Sequence, residues 1–190
     1  VVFDTGEPRS GPEIISALER LQSQSERFLG ILPTMVFFQP QGEKWSPADH
    51  VRHLRKSTAP LVLAFGVLRP VLLVFGRSGR PSRGFAELRD QYRQKLAAGA
   101  TAGVFAPSRQ ALPDDLEAQR GTIMRAWSTT TQALCDRLED WDEAALDQYG
   151  LPHPILGRLT VREMMLFTVY HNAHHLRLVA ARIGATTART

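Results

Sequence analysis

The run Thr160-Val161-Arg162-Glu163-Met164-Met165-Leu166-Phe167-Thr168-Val169-Tyr170-His171-Asn172-Ala173-His174-His175-Leu176 reads as one helix, and the fold is decided by it. Thr160 followed by Glu163 is a capping-box sequence. The helix is therefore predicted to begin at Thr160 or Val161 and to run to about Ile183, with Gly184 as its stop. Three of the chain's six histidines fall within five residues of it. At about 100° per residue, His171 and His175 project within about 40° of each other from successive turns, so their imidazoles can converge on one point. His174 lies about 60° to the other side and is the outsider of the three. Two histidines four apart suit a metal ion, and they suit hydrogen-bonded core or surface histidines equally well until a third ligand is found.

Three more helices surround this one. From Pro12 to about Leu32, the residues Ile14, Leu18, Leu21, Phe28 and Leu32 recur at three-, four- and seven-residue intervals, which is the pattern of a one-sided core helix. Ser10 or Gly11 starts it, and Pro33 closes it. Residues 33 to 44 are too short and too interrupted for another helix and read as a connection whose aromatics, Phe37 and Phe38, cover one end of the core. In Trp45-Ser46-Pro47-Ala48-Asp49, Ser46 is a cap, Pro47 suits the first helical position and Asp49 completes the box. The second helix starts there, carries His50 and His53 one turn apart, and runs toward Phe65. The third is predicted from about Pro113 to Leu138, with Leu116, Ile123, Trp127, Leu134 and Leu138 as its apolar stripe.

Between the second and third helices, Arg77 to Pro113 is loosened by glycine and proline around a short helical piece near Phe85 to Ala98, a length that suits a crossover. Arg77, Arg80, Arg83, Arg89, Arg93 and Lys95 outnumber Glu87 and Asp90 within it, which fits a solvated connection or a contact for an anion. Polar residues and then Leu151-Pro152-His153-Pro154 lead into the last helix, with the prolines holding His153 in an extended connection. No strand-period segment competes, so the expected fold is all-α: a four-helix bundle with a long crossover between helices 2 and 3, forming a single domain over residues 1–190.

The totals exclude several classes. A single cysteine, Cys135, rules out an intramolecular disulfide and a thiolate-rich zinc site, and it suits a reducing cytoplasm. It sits in a helical run and reads as a small buried apolar residue. The net charge of +4 mildly favours anionic partners, but no helix clusters base-reading side chains, so nucleic acid is disfavoured. The most apolar stretch, Leu61 to Gly76, is broken by Gly66, Arg69 and Pro70 and fails as a membrane span. The chain starts Val1-Val2-Phe3-Asp4, without the basic start and apolar core of a signal peptide.

Depth along the helices brings the histidines to comparable levels. His171 lies about 16 Å along its helix from Thr160, and His53 about 10 Å along its own from Ser46, at about 1.5 Å per residue. In parallel neighbours these depths differ by about one turn, and the crossover could supply the long connection that parallel helices two and four need.

With these residues in view, the sequence resembles the DinB-like superfamily, which includes YfiT-type metal-dependent hydrolases and thiol-dependent transferases. The likeness is carried by Trp45-Ser46-Pro47-Ala48-Asp49-His50-Val51-Arg52-His53-Leu54, by His153-Pro154-Ile155-Leu156-Gly157-Arg158-Leu159-Thr160, and by Tyr170-His171-Asn172-Ala173-His174-His175-Leu176. The resemblance implies a metal triad of His53, His171 and His175, with His50, His174, Asn172 and Trp45 as supporting or pocket residues. It also implies a four-helix bundle with a long crossover, and homodimers through exposed helix faces. The Arg- and Gly-rich insert departs from many relatives.

Three neutral imidazoles suit zinc, nickel or another borderline divalent ion and leave positions open for water or substrate. The expected function is then a divalent-metal-dependent enzyme, a thiol-dependent S-transferase or a small-molecule hydrolase, with a low-molecular-weight thiol as second cofactor or partner. Asn172 stands where a helical zinc-protease motif would need Glu, so peptidase activity is disfavoured and the sequence designates no catalytic base. Two alternatives stand beside it. One is a non-catalytic, stress-associated metal-binding protein with a basic interaction surface; the other is a bundle whose histidines bind metal for stability alone, or not at all.

Overall fold

The structure, a computed structural model, describes residues 2–40, 42–67, 69–108 and 110–187, with the backbone alone at 69, 70 and 185–187. It is mostly helical. Four long helices, α1 (Gly11–Gly30), α3 (Pro47–Gly66), α5 (Leu116–Glu139) and α7 (Val161–Thr187), are joined by three shorter ones, α2 (Thr34–Phe38), α4 (Phe85–Ala97) and α6 (Glu143–Gln148). No helix among the described residues is long and apolar enough to cross a membrane.

Local chemistry sets the helix starts. Ser10 and Glu13 form a reciprocal capping box at α1, and Ser46 and Asp49 form another at α3, each with proline in the first turn. At α7 the Thr160 hydroxyl accepts from the Glu163 amide, while Glu163 accepts from the Thr160 amide at 3.0 Å. Three boundaries differ from the sequence reading. Helix α5 starts at Leu116 rather than Pro113, because the side chain that caps it, accepting from the Ala118 amide, is Asp115. Helix α7 runs through Gly184 to Thr187. One glycine costs a helix only about 1 kcal/mol, too little to end a helix of this length. In the connection after α1, Thr34–Phe38 makes a single helical turn that buries Phe37 and Phe38.

One contiguous core includes Ile14, Leu18, Leu21 and Leu29 of α1, Val51 and Leu54 of α3, Trp127 and Leu134 of α5, and Met165, Val169 and Ala173 of α7. Each large aliphatic side chain buried there contributes about 1.5–3 kcal/mol. Cys135 belongs to the same core.

Side-chain contacts fix the directions of the long helices. Arg120, near the start of α5, donates to the carbonyls of Leu29, Gly30 and Leu32 at the end of α1, so α1 and α5 are antiparallel. Phe65 at the end of α3 packs on Trp141 just beyond α5, with ring centroids 5.5 Å apart, so α3 and α5 are parallel. Arg182, late in α7, reaches Trp45 and His50 at the start of α3, whereas His171, earlier in α7, meets His53. Helices α3 and α7 are therefore antiparallel, not parallel as their histidine depths suggested. The depth of a side chain is the same whichever way a helix runs, so spacing carries no direction. The crossover returns the chain between the parallel pair α3 and α5.

That crossover docks through one face, burying Leu72, Phe85, Leu88 and Tyr92, while Arg77, Arg80, Arg93 and Lys95 are exposed as a solvated connection would have them. A 3₁₀ segment, Arg69–Phe75, is followed by a bridge between Arg77 and Tyr149, and α4 then lies along α7 with Tyr92 against Phe167 at 5.0 Å. Before α7 the chain also forms a hairpin, with β1 (Gly150–His153) antiparallel to β2 (Gly157–Thr160) and Leu151 opposite Leu159. The sequence reading expected no strand. Four-residue strands are too short to show a period, and Pro152 argues against one.

Candidate metal centre

Helix α3 supplies His53 from its second turn, and α7 supplies His171 and His175 from successive turns. The three side chains are buried, and one nitrogen from each lies within 4.8 Å of the others. His171 Nε2 is 3.1 Å from His53 Nε2 and 3.1 Å from His175 Nε2. Two ligands of a tetrahedral zinc stand about 3.3 Å apart, given zinc–nitrogen bonds of about 2.0–2.1 Å. The group can hold a metal ion.

Proton accounting tests whether it suits one. The Phe105 carbonyl can only accept, so His53, 2.9 Å from it through Nδ1, carries its proton there and presents a bare Nε2. Arg182 can only donate, so His50 accepts through Nε2 at 3.1 Å and gives its own Nδ1 proton to His175 Nδ1 at 2.8 Å. Neutral His175 then carries a proton on Nε2, aimed at His171. If His171 accepts it, His171 and His53 face each other lone pair to lone pair; if His171 instead donates to His53, two protons meet at His175. Protons alone leave one of the two 3.1 Å contacts unsatisfied. A cation at the centre takes the lone pairs of His53 and His171 and removes the mismatch; His175 joins them as a neutral ligand when its proton sits on Nδ1, toward His50.

Burial keeps the rings neutral, the form in which imidazole ligates. It pushes His171 and His175 well below the ordinary histidine value and lowers His53 as well. His50 is pushed down to about 3, first by burial and then by the Arg182 charge.

The remaining residues singled out in the sequence fall into different places. Trp45 stacks its ring nearly parallel to His175, 5.9 Å between centroids, and lies 5.0 Å from the His53 ring. His50 holds His175, as described. His174 turns away from the triad toward Tyr92 and Tyr170 and lines the adjoining cavity. Asn172 does not line that cavity; its amide donates to the Thr168 carbonyl at 2.8 Å.

The cavity encloses about 270 Å³, and all three triad histidines line it. Its walls come from α3, α4, the Phe105 turn, the β1–β2 hairpin and α7, and among the described residues they include no Asp, Glu, Lys or Arg. Three contributors were not assigned from sequence: the Phe105 carbonyl, Tyr92 and His153. None sits at a motif spacing from the triad, and only the docking of the crossover and the hairpin brings them in. Burial raises the Tyr92 phenol to about 12.

A second cluster anchors the first turn of α7. Glu163 is fully buried and accepts from Arg80, from Arg83 Nε at 2.9 Å and Nη2 at 3.0 Å, and from the Arg83 amide at 2.7 Å. Burial alone would push its carboxyl up; hydrogen bonds from Arg80, Arg83 and the Thr160 amide outweigh that and hold it at about 2. Two arginines of the basic crossover are thus committed to an internal carboxylate.

A sequence model of the DinB superfamily matches residues 17–179, a span that takes in α3, α5, most of α1 and α7, and the three histidines. No curated protein matches the chain. The chain belongs to the DinB superfamily.

Proposed function

We propose that the protein is a divalent-metal-dependent enzyme whose ion is held by His53, His171 and His175, with zinc or nickel as the fitting metals. The observation that carries this reading is the convergence of three neutral Nε2 atoms, which protons alone cannot satisfy, at the wall of a cavity. Bound there, a divalent ion would supply Lewis acidity to a water or a low-molecular-weight thiol beside the substrate. Phe105 orients His53, His50 orients His175, and the apolar walls limit water. We favour thiol transfer or small-molecule hydrolysis over peptide cleavage, because no carboxylate lines the cavity among the described residues.

The same reading takes the four long helices as a four-helix bundle forming one domain, places the protein in the cytoplasm, and gives it a small molecule or thiol as partner. The alternative, a non-catalytic stress-associated protein working through a basic surface, is less well supported: Arg80 and Arg83 are bound to Glu163, and Arg89 pairs with Asp90 at 2.8 Å.

The test uses cobalt-loaded protein with added 2-mercaptoethanol. Wild type is expected to develop a thiolate-to-cobalt absorption band and to accelerate transfer of the thiol to an activated aryl halide, with both lost in His171→Ala and on chelation. A rate equal to that of metal-free protein, with no hydrolysis of simple esters or amides by the zinc form, would overturn the enzyme reading.

A further inference from the structure

His153 sits at the end of β1, where the chain turns back toward β2. Its Nδ1 accepts two backbone hydrogen bonds, from the Ile155 amide at 3.2 Å and the Leu156 amide at 3.0 Å. An atom that accepts from two amides carries no proton, so the neutral ring has its proton on Nε2, at the far edge. Phe167 packs edge-on against the ring at 4.4 Å and stacks in turn on His171 at 5.0 Å, which fixes the ring at one remove from the triad. His153 lines the cavity. Its Nε2 makes no hydrogen bond among the described residues, yet it is not one of the sealed, unsatisfied polar atoms. Burial keeps the ring neutral, with its pKa lowered to about 4.

The walls say what such a donor would meet. Leu61, Leu96, Ile155, Met164 and Phe167 are apolar, and the polar side chains beside them, among them Ser57, Thr58 and Thr168, are uncharged. Among the described residues no side chain of either charge lines the cavity, so an ion bound by the triad would be its one charge. We infer that the cavity binds an uncharged, largely apolar molecule bearing a carbonyl or amide oxygen, and that His153 Nε2–H is the positioning donor for that oxygen beside the triad. The inference rests on the metal-enzyme reading for what happens to the substrate, though not for its binding. His153 acts as a fixed hydrogen-bond donor in this scheme and transfers no proton.

Benzamide, benzoate and benzylammonium are close in shape and differ in charge, which makes them suitable probes. Each is titrated by NMR into the protein as purified and again after chelation, at pH 7. Benzamide is expected to bind in both states, and the two ions at least about tenfold more weakly in the chelated state, where no metal can capture them. His153→Phe keeps the ring contact with Phe167 and removes the donor, together with the acceptor of the Ile155 and Leu156 amides, so its fold is checked by the same NMR spectra. It is expected to weaken benzamide about five- to tenfold, the effect of one hydrogen bond. His153→Gln, which retains an N–H, recovers most of that loss.

Imidazole ¹⁵N shifts of the wild type need no variant and are expected to place the His153 proton on Nε2. Benzamide affinity unchanged in His153→Phe, a proton on Nδ1, equal affinity for either ion after chelation, or no benzamide binding would each overturn the inference. A wild type that binds benzamide but holds no metal would count against the metal-enzyme reading and leave the cavity assignment standing.

Discussion

Replacing Glu163 with glutamine tests what holds the histidine-bearing helix to the crossover. The substitution keeps the shape of the side chain, removes its charge, and turns one acceptor oxygen into an amide that points hydrogens at a guanidinium. Removing one partner of a buried ion pair costs about 3–5 kcal/mol, because the remaining charge is left uncompensated. Arg83 is only 18% exposed and takes most of that penalty, whereas Arg80 is 44% exposed and recovers solvation. The expected loss therefore lies near the lower end, about 3 kcal/mol. For a chain of this size that is a fall in Tm of roughly 6–12 °C. Urea and thermal unfolding followed by circular dichroism at pH 7 would measure it. A cycle with Arg83→Met should show coupling, the double variant losing less than the sum of the singles. A loss below about 1 kcal/mol, or strict additivity, would refute the claim that the cluster is a buried clamp.

Other consequences are open to measurement. His50→Ala leaves the triad intact but frees His175, so metal affinity is expected to fall about 10- to 100-fold in competition with a chelating dye; an unchanged affinity would remove His50 from the site. The buried Cys135 thiol, pushed up to about 12 by burial, should resist iodoacetamide at pH 8 until urea unfolds the chain, and rapid labelling of native protein would contradict its placement.

Acid stability is lost over overlapping ranges, and His50, His53, His171, His174 and His175, all lowered by burial, add to the loss below about 6.5 that His153 contributes. His153 titrates near 4 when folded and about 6.5 when unfolded, so the unfolded chain binds the extra proton first; stability should fall as the pH drops from about 6.5 to 4, by at most about 1.4 kcal/mol per pH unit from this ring. Glu163, lowered from 4.5 to about 2, stabilises fully above 4.5 and loses its contribution as the pH falls toward 2. Chelated wild type should therefore lose more stability between pH 6.5 and 4 than chelated His153→Gln, and parallel curves would show that His153 is not buried neutral.

The sequence speaks most clearly where a signal is local. Ser46 with Asp49 and Thr160 with Glu163 mark helix starts within four residues, and those boxes form as read. The pair His171 and His175 needs only the pitch of one helix to converge. What the sequence could not carry is relative placement. His53 reaches the pair through an antiparallel packing that histidine spacing does not encode. Glu163 looks like an ordinary capping residue until Arg80 and Arg83 arrive from about eighty residues away along the chain. His153 lies between two prolines in a stretch with no period, and its place in the cavity depends on a hairpin too short to announce itself. The Phe105 carbonyl is a backbone atom, invisible to any reading of side-chain types.

The most direct test of the account is metal content. Untagged wild-type protein, purified without chelators and analysed by mass spectrometry, should carry close to one divalent ion per chain or take up one equivalent of zinc or nickel when it is supplied. His53→Ala, His171→Ala and His175→Ala should each abolish it while remaining folded by circular dichroism. A wild type that neither contains nor binds zinc or nickel, or a triad variant that binds as well as wild type, would contradict the assignment.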